Sequence, residues 1–188
     1  MRVVGIRVVS GKAAGAVTRL FLLGSLLLPP GVVADTVTVS NTLQANVQAN
    51  GSLSVPGATT LAHSGTLFTP FFGSTTLQYR ARTSAAGGGA VTLRVIQDFQ
   101  TGGPSASAGD LSYTCGSADL GSGCSQTTAS TTSDTPVVTL PSSACTGGGA
   151  PCSAMDPNSI VVTFTLQDNP AVKTGTFSAS VQFTISAT

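Results

Sequence analysis

Ile160-Val161-Val162-Thr163-Phe164-Thr165-Leu166 is the stretch on which the fold turns. Ile160, Val162, Phe164 and Leu166 share one face, and Val161, Thr163 and Thr165 share the other. A repeat of two along β-branched and aromatic residues marks a strand with one face in a core. Asp168-Asn169-Pro170 opens a turn that closes near Gly175. Beyond it Phe177, Ala179, Val181, Phe183 and Ile185 alternate with Ser178, Ser180, Gln182 and Thr184.

The same period recurs upstream. Leu77, Tyr79 and Ala81 alternate with Gln78, Arg80 and Arg82. Gly87-Gly88-Gly89 is a flexible turn, and Val91, Leu93 and Val95 alternate with Thr92 and Arg94 after it, with Ile96 out of step. If these two strands pair, Arg80, Arg82 and Arg94 share one face opposite the core. From Val37 to Ala49 the odd positions are Val, Val, Asn, Leu, Ala, Val and Ala, against polar even positions. Asn50-Gly51 follows, with Ser52-Leu53-Ser54-Val55 behind it, and predicts a tight hairpin with a type I′ turn. Asn50-Gly51-Ser52 is also a glycosylation sequon, but the turn explains the same residues. Phe68, Phe71 and Phe72 cluster around Pro70, where core packing is the favoured reading.

Short strands at Leu111–Cys115 and Pro136–Leu140 interrupt a Gly/Ser/Thr-rich region at 101–157. About eight or nine short strands, and no helical period past the first residues, predict an all-β, immunoglobulin-like two-sheet sandwich. No fixed-period repeat or linker divides residues 35–188, so they read as one domain that buries roughly two-thirds of its unfolded surface.

The first residues carry a different signal. Arg2, Arg7, Lys12 and Arg19 precede the apolar run Leu20–Leu28, then Pro29-Pro30-Gly31 and the small-residue end Val32-Val33-Ala34. A basic region, a short apolar core and an A-x-A-like end make a secretory signal over residues 1–34. As a membrane anchor the run is about half the roughly 20 residues needed. The expected address is secreted, periplasmic or cell-surface, with no membrane span in the mature chain. No cysteine follows the run to take a lipid, and there is no adjacent arginine pair for a twin-arginine route.

Past Ala34 the cations are Arg80, Arg82, Arg94 and Lys173, against seven aspartates and no glutamate, a formal charge of −3. Four scattered cations give no footprint for nucleic acid or anionic lipid. Cys115, Cys124, Cys145 and Cys152 are an even set in an exported chain and read as disulfides. The close pairs Cys115 with Cys124 and Cys145 with Cys152 are favoured because each pins a Gly/Ser-rich loop; crossed pairing would tie the two loops together. Zinc is disfavoured, since neither pair is C-x-x-C and His63 is far off in sequence.

No catalytic set emerges. His63 is the only histidine, lies outside any G-x-S-x-G elbow, and reads as a solvated loop residue. The aspartates are isolated and mostly beside turn formers, and no D-x-D-x-D-G loop suggests calcium. No cofactor or metal is implied. Two surfaces are candidates for binding. Arg80, Arg82 and Arg94 form a candidate ligand face for an anionic glycan, weighed against a solvated face that discourages strand association. Val37, Val39 and Leu43 form a candidate assembly strand near the start of the mature chain, able to complete a neighbour's sheet or its own.

Lys173-Thr174-Gly175-Thr176-Phe177-Ser178-Ala179-Ser180-Val181-Gln182-Phe183-Thr184-Ile185 resembles the final strand of bacterial pilin-like and spore-coat-U-like secreted domains. Those commonly lead through Gly-Thr-(Tyr or Phe) into an alternating strand. The resemblance covers about fifteen residues, and the short-spaced cysteine pairs depart from that family's usual arrangement. It implies an immunoglobulin-like sandwich and a place in surface fibres or coats, with no catalytic residues. The expectation is therefore a structural or adhesive exported protein, partnered by copies of itself or by surface proteins and glycans. A monomeric binding module for a glycan or other extracellular ligand comes second, and an enzyme third.

Expression with the leader intact is expected to release a chain that starts at Asp35. Intact mass and amino-terminal sequencing of the exported protein check this, and a chain still carrying Met1 would contradict it.

Overall fold

Leu77, Tyr79 and Ala81 turn inward and Gln78, Arg80 and Arg82 outward on the longest strand among the described residues, as their parity demands. The computed structural model describes residues 44–188 except 64, 66, 67, 148, 150, 151 and 153–156. Val37, Val39, Leu43 and the cleavage point after Ala34 lie outside the described residues. The strands are β1 (Asn50–Ser54), β2 (Ala62–His63), β3 (Phe71–Arg82), β4 (Gly89–Gln97), β5 (Leu111–Cys115), β6 (Ser122–Gly123), β7 (Thr127–Thr128), β8 (Thr135–Leu140), β9 (Asn158–Leu166) and β10 (Ser180–Ala187). All ladders are antiparallel. One sheet has the order β1-β3-β9-β5-β7, with β2 also on β3, and the other has the order β10-β4-β8-β6.

The inner faces of the two sheets meet in one core. Leu77, Tyr79, Tyr113, Ile160 and Val162 come from the first sheet, and Val91, Leu93, Val95, Val137 and Val138 from the second. Each such aliphatic side chain contributes about 1.5–3 kcal/mol by leaving water. The protein is thus the all-β, two-sheet sandwich that alternation predicts. Ten strands stand among the described residues. Those without a counterpart in the sequence reading are the two-residue β2, β6 and β7, too short for a period of two to show.

From β3 onward the chain changes sheet at every step. β3, β5, β7 and β9 belong to the first sheet, and β4, β6, β8 and β10 to the second. Gly87-Gly88-Gly89 is therefore an arch across a gap of about 10 Å, not a hairpin turn. A Cβ on Gly87 would lie 2.1 Å from the Thr188 carbonyl oxygen, and one on Gly89 2.3 Å from that of Ser186. β3 and β4 do not pair, so Arg94 does not share a face with Arg80 and Arg82. That expectation is corrected.

The hairpin at Asn50-Gly51 is corrected too. Both residues lie inside β1, paired with Arg82 and Ala81 of β3, and residues 44–49 form no strand. Gly51 serves packing instead of turning. A Cβ there would sit 3.1 Å from Ile185 Cδ1 on the opposite sheet, so glycine lets β1 approach β10.

Polar pins cross the sandwich. The Tyr79 hydroxyl donates to the Leu120 carbonyl and accepts from the Leu120 N–H. That of Tyr113 donates to the Pro136 carbonyl at 2.9 Å. Thr83 begins the β3–β4 arch and is fully buried. Its Oγ1 donates to the Pro141 carbonyl (2.7 Å) and accepts from the Ala144 N–H (2.8 Å), while its own N–H donates to the Ala144 carbonyl (3.1 Å). The Ser84 N–H donates to the Thr188 carbonyl at 2.9 Å. Arch, β8–β9 connection and chain end are thereby tied at one pole.

At the other pole Asp98 organises the loop after β4. It accepts from the N–H groups of Phe99, Ala106 and Ser107 and from the Ser105 hydroxyl, at 2.8–3.1 Å. Desolvation opposes its charge, but these donors outweigh it and hold the carboxyl at about 2, below its ordinary 3.8.

A depressed carboxyl pKa stabilises the fold above the unfolded value and is lost as pH falls through the folded one. The Asp98 contribution is therefore expected to fade between about pH 4 and pH 2. Asp98→Asn keeps the shape and gives up the charge, at a cost of about 1–2 kcal/mol near neutral pH. Urea titrations of both proteins check this: their midpoints should converge near pH 2, and a gap unchanged at pH 2 would contradict it.

Candidate functional site

Both favoured disulfides are formed, Cys115–Cys124 and Cys145–Cys152. The first ties the sheets together, because Cys115 ends β5 and Cys124 directly follows β6. Gly123 lets them meet: a Cβ there would lie 2.4 Å from the Gly116 carbonyl oxygen. The second closes the connection between β8 and β9.

The carboxyl-terminal strand β10 leaves an edge open. It pairs with β4 on one side, Val181 with Val95, Phe183 with Leu93 and Ile185 with Val91. On its other side no strand pairs with it among the described residues. The three β4 partners are fully buried, whereas Val181, Phe183 and Ile185 are only half-buried against the core. Edge strands are commonly guarded by charge or proline. Ser180-Val-Gln-Phe-Thr-Ile-Ser-Ala187 has neither, and its one irregularity lies between Ser180 and Val181. On the facing sheet the neighbouring edge is β1, five residues long and also uncharged.

The arginine set is split. Arg80 and Arg82 project from the outer face of β3, with Ser52 directly opposite Arg80 and Asn50 opposite Arg82 on β1. A cleft of about 390 Å³ opens beside them, lined also by Gln48, Asn158 and the Cys145–Cys152 bridge. Arg94 stands on the other sheet, where its Nε donates to the Thr131 carbonyl at 3.3 Å. Gln48 and Asn158 are additions that the sequence reading missed. Asn158 shares the parity of Ile160, and a polar residue at that inward position is the signal that could have found it. It is buried, and its Nδ2 donates to the Tyr79 carbonyl at 3.4 Å.

His63 is not a solvated loop residue. It sits in β2 and is half-buried, its ring 4.9 Å from that of Phe71. Nδ1 accepts the Gly65 N–H at 3.0 Å, so the neutral ring carries its proton on Nε2. Nε2 faces Thr69 Oγ1 at 3.1 Å and Asp168 Oδ2 at 3.7 Å. With Nε2 protonated it donates to Thr69 and does not take the Thr69 proton. The arrangement closes a loop; it does not activate a nucleophile.

The aromatic cluster also divides. Phe71 packs against the core, but Phe68 is 59% exposed and Phe72 47% exposed. Core packing of all three is thus corrected: Phe72 has the outward parity of β3, and Phe68 lies beyond the strand with φ 59°. Among the described residues no group of histidine, cysteine and carboxylate side chains could hold a metal ion, and no helix is long and apolar enough to cross a membrane. The chain matches no family model, no curated protein and no solved structure.

Replacing both Cys115 and Cys124 by serine is expected to cost about 2–3 kcal/mol, the loop-closure value for a separation of nine residues. Chemical denaturation under oxidising conditions measures it, and an unchanged midpoint would show that the sheets hold without this tie.

Proposed function

We propose that the protein is an exported, non-enzymatic structural or adhesive surface subunit that assembles with copies of itself by strand exchange. In this reading the segment around Val37, Val39 and Leu43 of one copy lies along β10 of the next. The observation that carries it is the β10 edge left without a strand among the described residues, whose inward residues Val181, Phe183 and Ile185 are half-covered. An added strand supplies main-chain hydrogen bonds along such an edge and apolar side chains at alternate positions. Residues 35–43 supply apolar side chains at Val37, Val39 and Leu43, with the alternation broken at Asn41, over a length comparable with the eight residues of β10. The secretory leader and the two disulfides fit an oxidising destination outside the cytoplasm. The likeness of residues 173–185 to the last strand of pilin-like and spore-coat-U-like domains points the same way.

The mass of the mature protein by light scattering, with and without residues 35–42, tests the proposal. Assemblies that grow with concentration and vanish on truncation are expected. A monomer in both forms would overturn strand exchange; if truncation then lowers stability, the segment completes its own sheet.

A further inference from the structure

We infer that the cleft beside Arg80 and Arg82 binds an acidic polysaccharide, a linear chain of uronate-type sugars whose carboxylates meet the two guanidinium groups. Of the four cations past the leader, two stand two residues apart on one face of one strand. That spacing separates their origins by about 6.6–6.8 Å, so two carboxylates of one chain can each meet one arginine. A guanidinium fork takes a planar carboxylate through two parallel hydrogen bonds. Ser52 and Asn50, cross-strand from the arginines, and Gln48 at the rim offer hydroxyl and amide groups of the kind that sugar hydroxyls require. A cleft of about 390 Å³ is of the size that holds a small ligand or a short stretch of a chain.

Charge bookkeeping makes the site local. The mature chain carries −3, so it does not attract polyanions as a whole. Among the described residues no aspartate lines the cleft. On the β9 side Asp119 Oδ2 already accepts from the Ser159 N–H and hydroxyl, at 2.7 and 2.8 Å. The Arg82 side chain makes no hydrogen bond or ion pair among the described residues, in contrast to that of Arg94, which is engaged by Thr131. Two arginines flanked by amides and hydroxyls suit a carboxylated sugar chain better than a nucleic acid, which needs a wider cationic track. This site uses neither β10 nor residues 35–43, so it stands or falls apart from strand exchange.

Isothermal titration of the mature protein with oligogalacturonate, and with its neutral methyl ester, tests the inference. Saturable binding of the acid alone is expected, weakening as salt rises. Arg82→Ala should weaken it about tenfold, Arg80→Ala/Arg82→Ala further, and Arg94→Ala not at all. Arg82→Lys, which keeps the charge without the fork, should fall between. Matched melting temperatures confirm that each variant folds. Absence of binding by the native protein, or an equal loss in Arg94→Ala, would overturn the site. Native protein that ignores oligogalacturonate but dissociates on Arg82→Ala would assign the arginines to contact with a second copy instead.

Discussion

From β3 to the carboxyl terminus the chain crosses between sheets at every connection, and no ladder in that span joins consecutive strands. β4 finds its partners in β8 and β10, and β9 in β3 and β5. Hydrogen bonding within each sheet therefore requires that the other sheet be present, since every crossing passes over the shared core. Loop-closure entropy must be met before the long-range contacts form, which places such a topology among slow-folding β-sandwiches. The ties that cross the gap follow from this constraint. Tyr79 and Tyr113 reach across with their hydroxyls, Cys115–Cys124 spans the gap covalently, and Thr83 locks one arch to the β8–β9 connection.

The same winding decides which edges stay open. On one long side the sheets end in β1 and β10, which meet through Gly51 and Ile185. β1 covers only the last part of β3, Gln78 to Arg82. It therefore does two things. It places Asn50 and Ser52 beside the arginines on the outer face, and it ends the sandwich before the apolar side of β10 is fully covered. The candidate assembly edge and the arginine cleft thus both border one five-residue strand, on opposite sheets.

Much of this was legible residue by residue. Ile160–Leu166 shows its inward face without help from any partner, and so do the alternations around Leu77 and Leu93, because parity alone sends a side chain up or down from a pleated strand. The close cysteine pairs were also legible, since few residues separate them. What failed was pairing. Asn50-Gly51 has turn chemistry, yet β3 and Ile185 take it into a strand. Gly87-Gly88-Gly89 has turn chemistry too, and whether it returns beside β3 or crosses the core depends on β9 and β10, far along the chain. Phe72 and His63 were misplaced for a related reason, because their surroundings are supplied by β2, Thr69 and Asp168 and not by their neighbours in sequence.

By itself the sequence determined the all-β class and the inward and outward residues of the longer strands, and it favoured the close cysteine pairs without deciding between them and crossed pairing, all consequences of local period, local sterics and short loop closure. Only the tertiary structure decided that β3 and β4 face each other across a core, that Arg94 parts from Arg80 and Arg82, and that β10 has a strand on one side alone among the described residues. Strand neighbours are chosen by the burial of one shared core, and that energy belongs to residues distant in sequence, where no local pattern records it.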